Sequence, residues 1–251
     1  MSARSTERRT TVSREDWAAV VFDVDGTLVD SERDGHRLAF NAAFASAGLP
    51  YRWDVAEYGD LLGVAGGRER LTGYLESKGH PPEQVAQFAA ALHADKTRRL
   101  RWMVAQGAIS PRPGVRELIL DLALAGVRLA VATTGSREWV APLLGKLFGA
   151  TTFPVVVTGD DVPAKKPDPA AYLKVLTELG LPAADVLAVE DSAVGLRAAL
   201  AAGLDCVVVA NDYTRGQDFT GALAVYPGFA RFRSDRSGPV RGLSVFTRSA
   251  R

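Results

Sequence analysis

The stretch Ala18-Ala19-Val20-Val21-Phe22-Asp23-Val24-Asp25-Gly26-Thr27 decides the reading of this chain. It is an apolar strand that delivers two aspartates and then turns at once. Asp23 and Asp25 are separated by one residue, so in an extended chain both carboxylates lie on one face. Like charges that close repel, and the pair calls for a cation or a proton between its members. Gly26 permits the sharp turn that ends the strand. The pattern predicts a site built around a hard metal ion.

Outward from that strand the order is a long helical stretch, then strand and helix in alternation. Val115, Leu118, Ile119 and Leu122 fall at helical spacing, with Gly126 placed to close the helix. Val127–Ala132 reads as a buried strand. Val140, Leu143, Leu144 and Leu147 mark a helix in which Pro142 predicts a kink or a late start. Phe153–Val157 is a further apolar run, and Asp168-Pro169 an N-cap with proline at the first helical position. Asp185–Val189 and Asp205–Val209 complete five strands, with a helix ending near Gly203 between the last two. The fold class expected is α/β, a doubly wound parallel-sheet (Rossmann-like) core.

Residues 32–107 break the alternation. Phe40, Ala43, Phe44 and Ala47 repeat at helical spacing, Val85–Leu100 reads as an amphipathic helix, and no strand is evident. This is an inserted all-helical cap domain, with Gly107–Pro113 as the linker back to the core. The core is then discontinuous, 17–31 and 108–228. Because open α/β sheets bind ligands at the carboxyl ends of their strands, an insert leaving from that edge can cover the site.

Composition narrows the function. A net charge of +1 gives no reason to expect nucleic acid, and no apolar run reaches the ~20 residues of a membrane span. The single cysteine, Cys206, excludes an internal disulfide framework and sits in a strand-like apolar setting. Residues 1–16 are polar and lack the apolar stretch of an export signal, so they read as a flexible tail. Residues 229–251 carry six arginines against Asp235 and read as a basic tail. A cytoplasmic location is the expectation, and a site contained in one chain makes a monomer adequate.

Three more groups fall at strand ends. Thr133 and Thr134 precede Gly135 and Ser136, where a helix opens and its N–H groups favour an anion such as phosphate. Lys166 stands before Pro167, which biases its backbone towards extended geometry. Glu190 and Asp191 supply a second acidic pair. Carboxylates, one lysine and hydroxyls together suit Mg²⁺, which prefers oxygen ligands, and a phosphoryl group whose charge the lysine and the cation balance.

Asp23-Val-Asp-Gly-Thr, Thr133, Lys166-Pro167 and Glu190-Asp191, in this order, resemble the four motifs of the haloacid dehalogenase-like hydrolases. The likeness spans residues 18–227. The Glu-Asp form of the last motif and the helical insert resemble the branch of beta-phosphoglucomutase and phosphoglycolate phosphatase. Arg33-Asp-Gly-His-Arg-Leu-Ala-Phe-Asn, Gly66-Gly-Arg-Glu-Arg, Ala164-Lys-Lys-Pro-Asp-Pro and Tyr213-Thr-Arg-Gly-Gln-Asp-Phe resemble the CbbY-type sugar-bisphosphate phosphatases. That group removes inhibitory sugar bisphosphates such as xylulose 1,5-bisphosphate.

The resemblance implies that Asp23 attacks phosphorus to form an aspartyl-phosphate and that Asp25 serves as acid, then base. It implies Mg²⁺ between Asp23, the Asp25 backbone carbonyl and Asp191, with Glu190 direct or through water. Thr133 and Lys166 would hold the phosphoryl oxygens. Relatives often carry Thr-Asn where this chain has Thr133-Thr134, so an amide contact at Thr134 is lost while a backbone contact survives. A bisphosphate needs a second anion site, for which Arg68 and Arg70 are the candidates. Glu32 and His36 are placed to bind sugar hydroxyls, while His80 and His93 read as surface residues. The expected function is a Mg²⁺-dependent sugar phosphatase with a small-molecule partner. Its alternatives are a phosphomutase, a phosphoglycolate phosphatase and a phospho-accepting signalling or binding module. Asp25 argues against a dehalogenase, which needs no acid there.

Overall fold

The computed structural model describes residues 17–64 and 66–234. Strand β1 (Ala19–Phe22) lies inside a six-stranded parallel sheet, and all four of its residues are fully buried. Alternation sends Val20 and Phe22 into one apolar layer with Leu118, Trp139 and Val207. It sends Ala19 and Val21 into the other, with Tyr172, Val175 and Leu196. Both faces are covered, which is why the strands read as unbroken apolar runs rather than alternating ones.

The other strands are β2 (Arg128–Ala132), β3 (Val155–Val157), β4 (Val186–Glu190), β5 (Asp205–Val209) and β6 (Ala224–Tyr226). Their spatial order is β3-β2-β1-β4-β5-β6, so the chain winds outward from β1 and then restarts on its other side. Phe22 pairs with Val131 on one flank and Val189 on the other, which sets the carboxyl ends of β1, β2 and β4 level. The crevice at this reversal is where sheets of this kind bind ligands.

Residues 32–107 form helices. A π-helical turn over Glu32–His36, closed by Arg37 N–H bonding to the Glu32 carbonyl, runs into α1 (Arg37–Ser46). Gly35 is buried in that turn, where an added Cβ would lie 3.1 Å from methyl groups of both Leu100 and Ile109. Then come α2 (Val55–Leu61), α3 (Gly67–Ser77) and α4 (Pro82–Gln106). These helices enclose an apolar cluster of their own, centred on Phe40, Phe44, Trp53, Tyr58, Leu71 and Leu75. No helix among the described residues is long and apolar enough to cross a membrane.

The core helices are α5 (Val115–Leu124), α6 (Arg137–Phe148), α7 (Ala170–Leu179), α8 (Ala193–Ala201) and α9 (Phe229–Ser234). Four readings need correction. The sheet has a sixth strand: β6 is three residues long with only Tyr226 buried, too little to leave an apolar pattern. Helix α6 starts at Arg137 and runs through Pro142, so of the two outcomes expected of that proline the late start does not occur. Helix α7 starts one residue later than expected, with Asp168 Oδ1 accepting the Ala170 N–H at 2.9 Å. Finally, the C-terminal segment does not begin as a tail: Phe229 and Phe232 of α9 are buried in the core. Burial of each is worth about 2 kcal/mol, and the local excess of arginine concealed it. Residues 1–16 and 235–251, read as tails, lie outside the described residues.

Candidate active site

Asp23 follows β1, Thr133 follows β2, and Glu190 ends β4 with Asp191 next, while Lys166 comes from the loop after β3. The sheet therefore gathers residues 143 positions apart. Lys166 Nζ donates to Asp23 Oδ1 at 2.7 Å, Glu190 Oε1 at 2.6 Å and the Ala132 carbonyl at 2.8 Å. Carboxylate oxygens of Asp23, Glu190 and Asp191 lie within 4.8 Å of one another, and all three residues are buried.

Three buried carboxylates against one ammonium leave excess negative charge. Burial, with the charges of Glu190 and Asp25, pushes the Asp23 carboxyl up to about 7 despite Lys166. Burial and the charges of Asp23 and Glu190 push Asp191 well above the carboxylate range. Asp23 and Glu190 in turn raise Lys166 against the opposing effect of its burial. The acids are seated hard against glycine backbone. A Cβ on Gly26, whose φ is +82°, would lie 2.3 Å from Asp191 Oδ2, and one on Gly195 2.0 Å from Glu190 Oε2. Such a donor set, all hard oxygens with surplus negative charge, fits Mg²⁺.

Asp25 behaves differently from the expectation of a shared face. The strand ends at Phe22, and the turn closed by Gly26 N–H to the Val29 carbonyl at 2.8 Å carries Asp25 away. Asp23 and Asp25 therefore stand in separate clusters, the second being Asp25, Glu32 and His36. Asp25 Oδ1 accepts from Ser31 Oγ and lies 3.2 Å from His36 Nε2. Burial alone would raise the Asp25 carboxyl, but His36, Ser31 and Lys96 together hold it below its ordinary value. Of the four acids expected at the metal, the Asp25 side chain is not in the group; only its backbone carbonyl was expected there.

Thr133 is buried, and its Oγ1 accepts the Gly135 N–H at 3.0 Å, leaving the hydroxyl proton free to donate. Thr134 is half-buried, with its carbonyl 2.4 Å from where a Gly159 Cβ would stand. Glu32 accepts from Tyr58 Oη. Arg68 is exposed at the start of α3. Arg70 is not a free cation: it is 7% exposed. Its guanidinium donates to the carbonyls of Leu61 at 2.9 Å and Val64 at 3.2 Å, and to Tyr58 Oη at 3.2 Å. It braces the loop that Gly66 and Gly67 follow. His80 and His93 are half-buried rather than on the surface: His80 Nε2 pairs with Tyr51 Oη at 2.9 Å, and burial with nearby Lys96 lowers His93 to about 4.

Several site residues escaped the sequence reading. Lys96 of α4 is 5% exposed, and its Nζ lies 2.5 Å from His36 Nδ1 and 5.0 Å from the Phe40 ring centre. Its donation to Nδ1 leaves the His36 proton on Nε2, facing Asp25. The signal was present: Lys96 occupies an apolar position in the buried run Val85, Ala89, Leu92, Lys96, Leu100. Tyr172 Oη donates to Glu190 Oε1, so that oxygen is held by tyrosine and lysine together. Asn211 Nδ2 donates to Asp191 Oδ2 at 2.7 Å and to the Gly26 carbonyl at 3.2 Å. Arg112 is buried and bonded to the carbonyls of Gly26, Val209 and Ala210, tying the aspartate turn to the end of β5. Nothing in the local sequence of Tyr172, Asn211 or Arg112 marks these long-range contacts.

A family model described as haloacid dehalogenase-like hydrolase matches residues 17–203. Protein CbbY of Rhodobacter capsulatus is 44% identical over 207 residues, spanning 81% of this chain and 90% of that protein. The crystal structure of CbbY from Rhodobacter sphaeroides in complex with phosphate superposes with a TM-score of 0.78 at 40% identity. That match covers 91% of this chain and 99% of the other. A mutant of the same protein in complex with xylulose-(1,5)bisphosphate gives a TM-score of 0.77 at 40% identity, over 90% and 99% of the two chains.

Proposed function

The chain belongs to the haloacid dehalogenase-like hydrolases and is a phosphatase of that family; from that premise we propose that it is a Mg²⁺-dependent hydrolase of a sugar bisphosphate such as xylulose 1,5-bisphosphate. The observation that carries the reading is Lys166 bridging Asp23 and Glu190, with Asp191 beside them, at the reversal of the sheet. The likeness to a CbbY structure containing xylulose-(1,5)bisphosphate supports the choice of substrate.

In the proposed reaction an Asp23 carboxylate oxygen attacks phosphorus in line, and the bond from phosphorus to the sugar oxygen breaks. Asp25, protonated once the negative charge of the bound phosphate raises its carboxyl, gives that proton to the departing oxygen, then as carboxylate takes a proton from the water that attacks the aspartyl-phosphate. Inorganic phosphate leaves and Asp23 is restored. Lys166 and Thr133 hold the phosphoryl oxygens, with the backbone at Thr134 beside them. Asp23, Asp191, the Asp25 carbonyl and Glu190, directly or through water, would hold Mg²⁺, which would supply positive charge against the phosphoryl oxygens. His36, oriented by Lys96, and Glu32, oriented by Tyr58, bind sugar hydroxyls. Arg68, the exposed member of the arginine pair, takes the distal phosphate, while Arg70 holds the loop.

The test is phosphate release with Mg²⁺ from xylulose 1,5-bisphosphate, ribulose 1,5-bisphosphate, 2-phosphoglycolate and beta-glucose 1-phosphate, with Asp23→Asn as control. Preference for xylulose 1,5-bisphosphate, abolished in the variant, is the expected result. Highest activity on 2-phosphoglycolate, or conversion of beta-glucose 1-phosphate to glucose 6-phosphate, refutes the substrate assignment.

A further inference from the structure

The loop after β5 touches the cap at one end and the acidic cluster at the other. On the cap side, the Tyr213 ring packs on Tyr58, with centroids 6.2 Å apart. It also lies so close to α2 that a Cβ on Gly59 would stand 2.9 Å from Tyr213 Cδ1. Arg33 of the first cap turn donates to the neighbouring Asp212 at 3.2 Å. On the core side, Asn211 Oδ1 accepts the backbone N–H of Tyr213 at 2.9 Å and of Thr214 at 3.2 Å. Those two bonds fix which end of the amide is oxygen, so Nδ2 faces Asp191 Oδ2 at 2.7 Å. Every polar group of the Asn211 side chain is thus used, and it cannot move without carrying both Tyr213 and Asp191.

We propose that Tyr213 is a positioning residue that transmits the place of the cap, through Asn211, to the carboxylate of Asp191, and so sets divalent-cation affinity. The path is short and made of direct contacts: α2 to the Tyr213 ring, its N–H to Asn211, and Asn211 to Asp191. Coupling of this kind is reciprocal, so a substrate that draws the cap onto the core tightens cation binding by the factor by which the cation tightens substrate binding. The Tyr213 hydroxyl plays no part. It is buried with no hydrogen-bond partner among the described residues, so the ring alone does the positioning. The proposal rests on the reading of Asp191 as a Mg²⁺ ligand.

The experiment is calorimetric titration of Mg²⁺ into the full-length enzyme without substrate, alongside KM measurements. Tyr213→Ala is expected to weaken Mg²⁺ binding three- to tenfold, and Tyr213→Phe to leave it within twofold. Asn211→Ala is expected to weaken it at least as much as Tyr213→Ala, and the double variant to differ from Asn211→Ala by less than twofold. Gly59→Ala, which changes only the cap face of the contact, should weaken it in the same direction and covers the case in which Tyr213→Ala folds poorly. A Tyr213→Ala or Gly59→Ala enzyme with raised KM but wild-type Mg²⁺ affinity reduces Tyr213 to cap packing and overturns the proposal. So do independent, multiplicative effects of Asn211→Ala and Tyr213→Ala. A wild-type enzyme that binds no Mg²⁺ overturns the metal reading itself, a result distinct from either.

Discussion

Replacing Lys96 with methionine should make the protein more stable and less active at once. Lys96 is 5% exposed and has no hydrogen-bonded carboxylate among the described residues; its Nζ meets His36 Nδ1 and the Phe40 ring. Burial, only partly offset by Glu32 and Asp25, lowers its ammonium from 10.5 to about 8. Between those values the unfolded chain holds a proton that the folded chain has lost, so stability rises with pH across that window. The penalty is fully present below about pH 8. At about 1.4 kcal/mol per pKa unit it comes to about 3 kcal/mol at pH 7.

Methionine keeps the stem packing and deletes the charge, while leaving His36 Nδ1 without its donor, a loss of about 1 kcal/mol. The net gain at pH 7 is about 2 kcal/mol, or about 4–8 °C in Tm for a chain of this size. Thermal unfolding of both proteins at pH 7 and pH 9.5 checks this, with the gap expected to narrow at the higher pH as wild-type Lys96 loses its proton. Turnover should fall at least tenfold, because nothing then holds the His36 proton on the side of Asp25. A Lys96→Met protein that is less stable at pH 7, with the same pH dependence as wild type, would refute the view of Lys96 as an uncompensated buried charge.

The arginine pair separates in the same spirit. Arg68→Ala should raise KM for a bisphosphate more than for a monophosphate and leave Tm unchanged. Arg70→Ala should lower stability by about 2 kcal/mol, because the buried Tyr58 hydroxyl and the part-buried carbonyls of Leu61 and Val64 lose their donor, as read by denaturant unfolding. Gly195→Ala sets a methyl group 2.0 Å from Glu190 Oε2, so activity should fall more than a hundredfold, and a near-normal kcat would show that the carboxylate has room to turn. Asp23→Asn should remove phosphate release while leaving the thermal midpoint at neutral pH within a few degrees, since a neutral amide replaces a buried carboxyl already raised to about 7.

The legibility of this protein in its sequence followed the range of the interactions concerned. Strands buried on both faces announce themselves locally, and the acids and lysine that follow them could be ordered along the crevice from the alternation alone. Asp25 was misplaced because a period of two holds only while the strand lasts, and the strand ends one residue before Asp23. The carboxylates thus part company at a turn whose presence Gly26 signalled but whose direction it did not. Arg70 and Arg68 look alike in a glycine-flanked string. Only the folded loop shows that one spends its donors on carbonyls of its own domain. Lys96 could have been found by asking why a lysine occupies an apolar stripe. Tyr172, Asn211 and Arg112 could not, because their partners lie 18, 20 and 86 positions away and their own neighbourhoods are unremarkable.

The two chain crossings between core and cap are stitched to one another. Val29, on the outgoing crossing, bridges to Pro111 on the returning one, and Arg112 N–H bonds to the Leu28 carbonyl at 2.9 Å. Two tethers fastened side by side behave as one pivot. Swinging the cap about that seam leaves those bonds intact, whereas sliding it across the sheet must break them. The same seam binds Val29 back to Asp25, so the residue proposed as acid and base sits on the jamb and not on the door. A swing of the cap about that seam would leave Asp25 in place beside the core and move only what the cap carries, His36 and Glu32 among them.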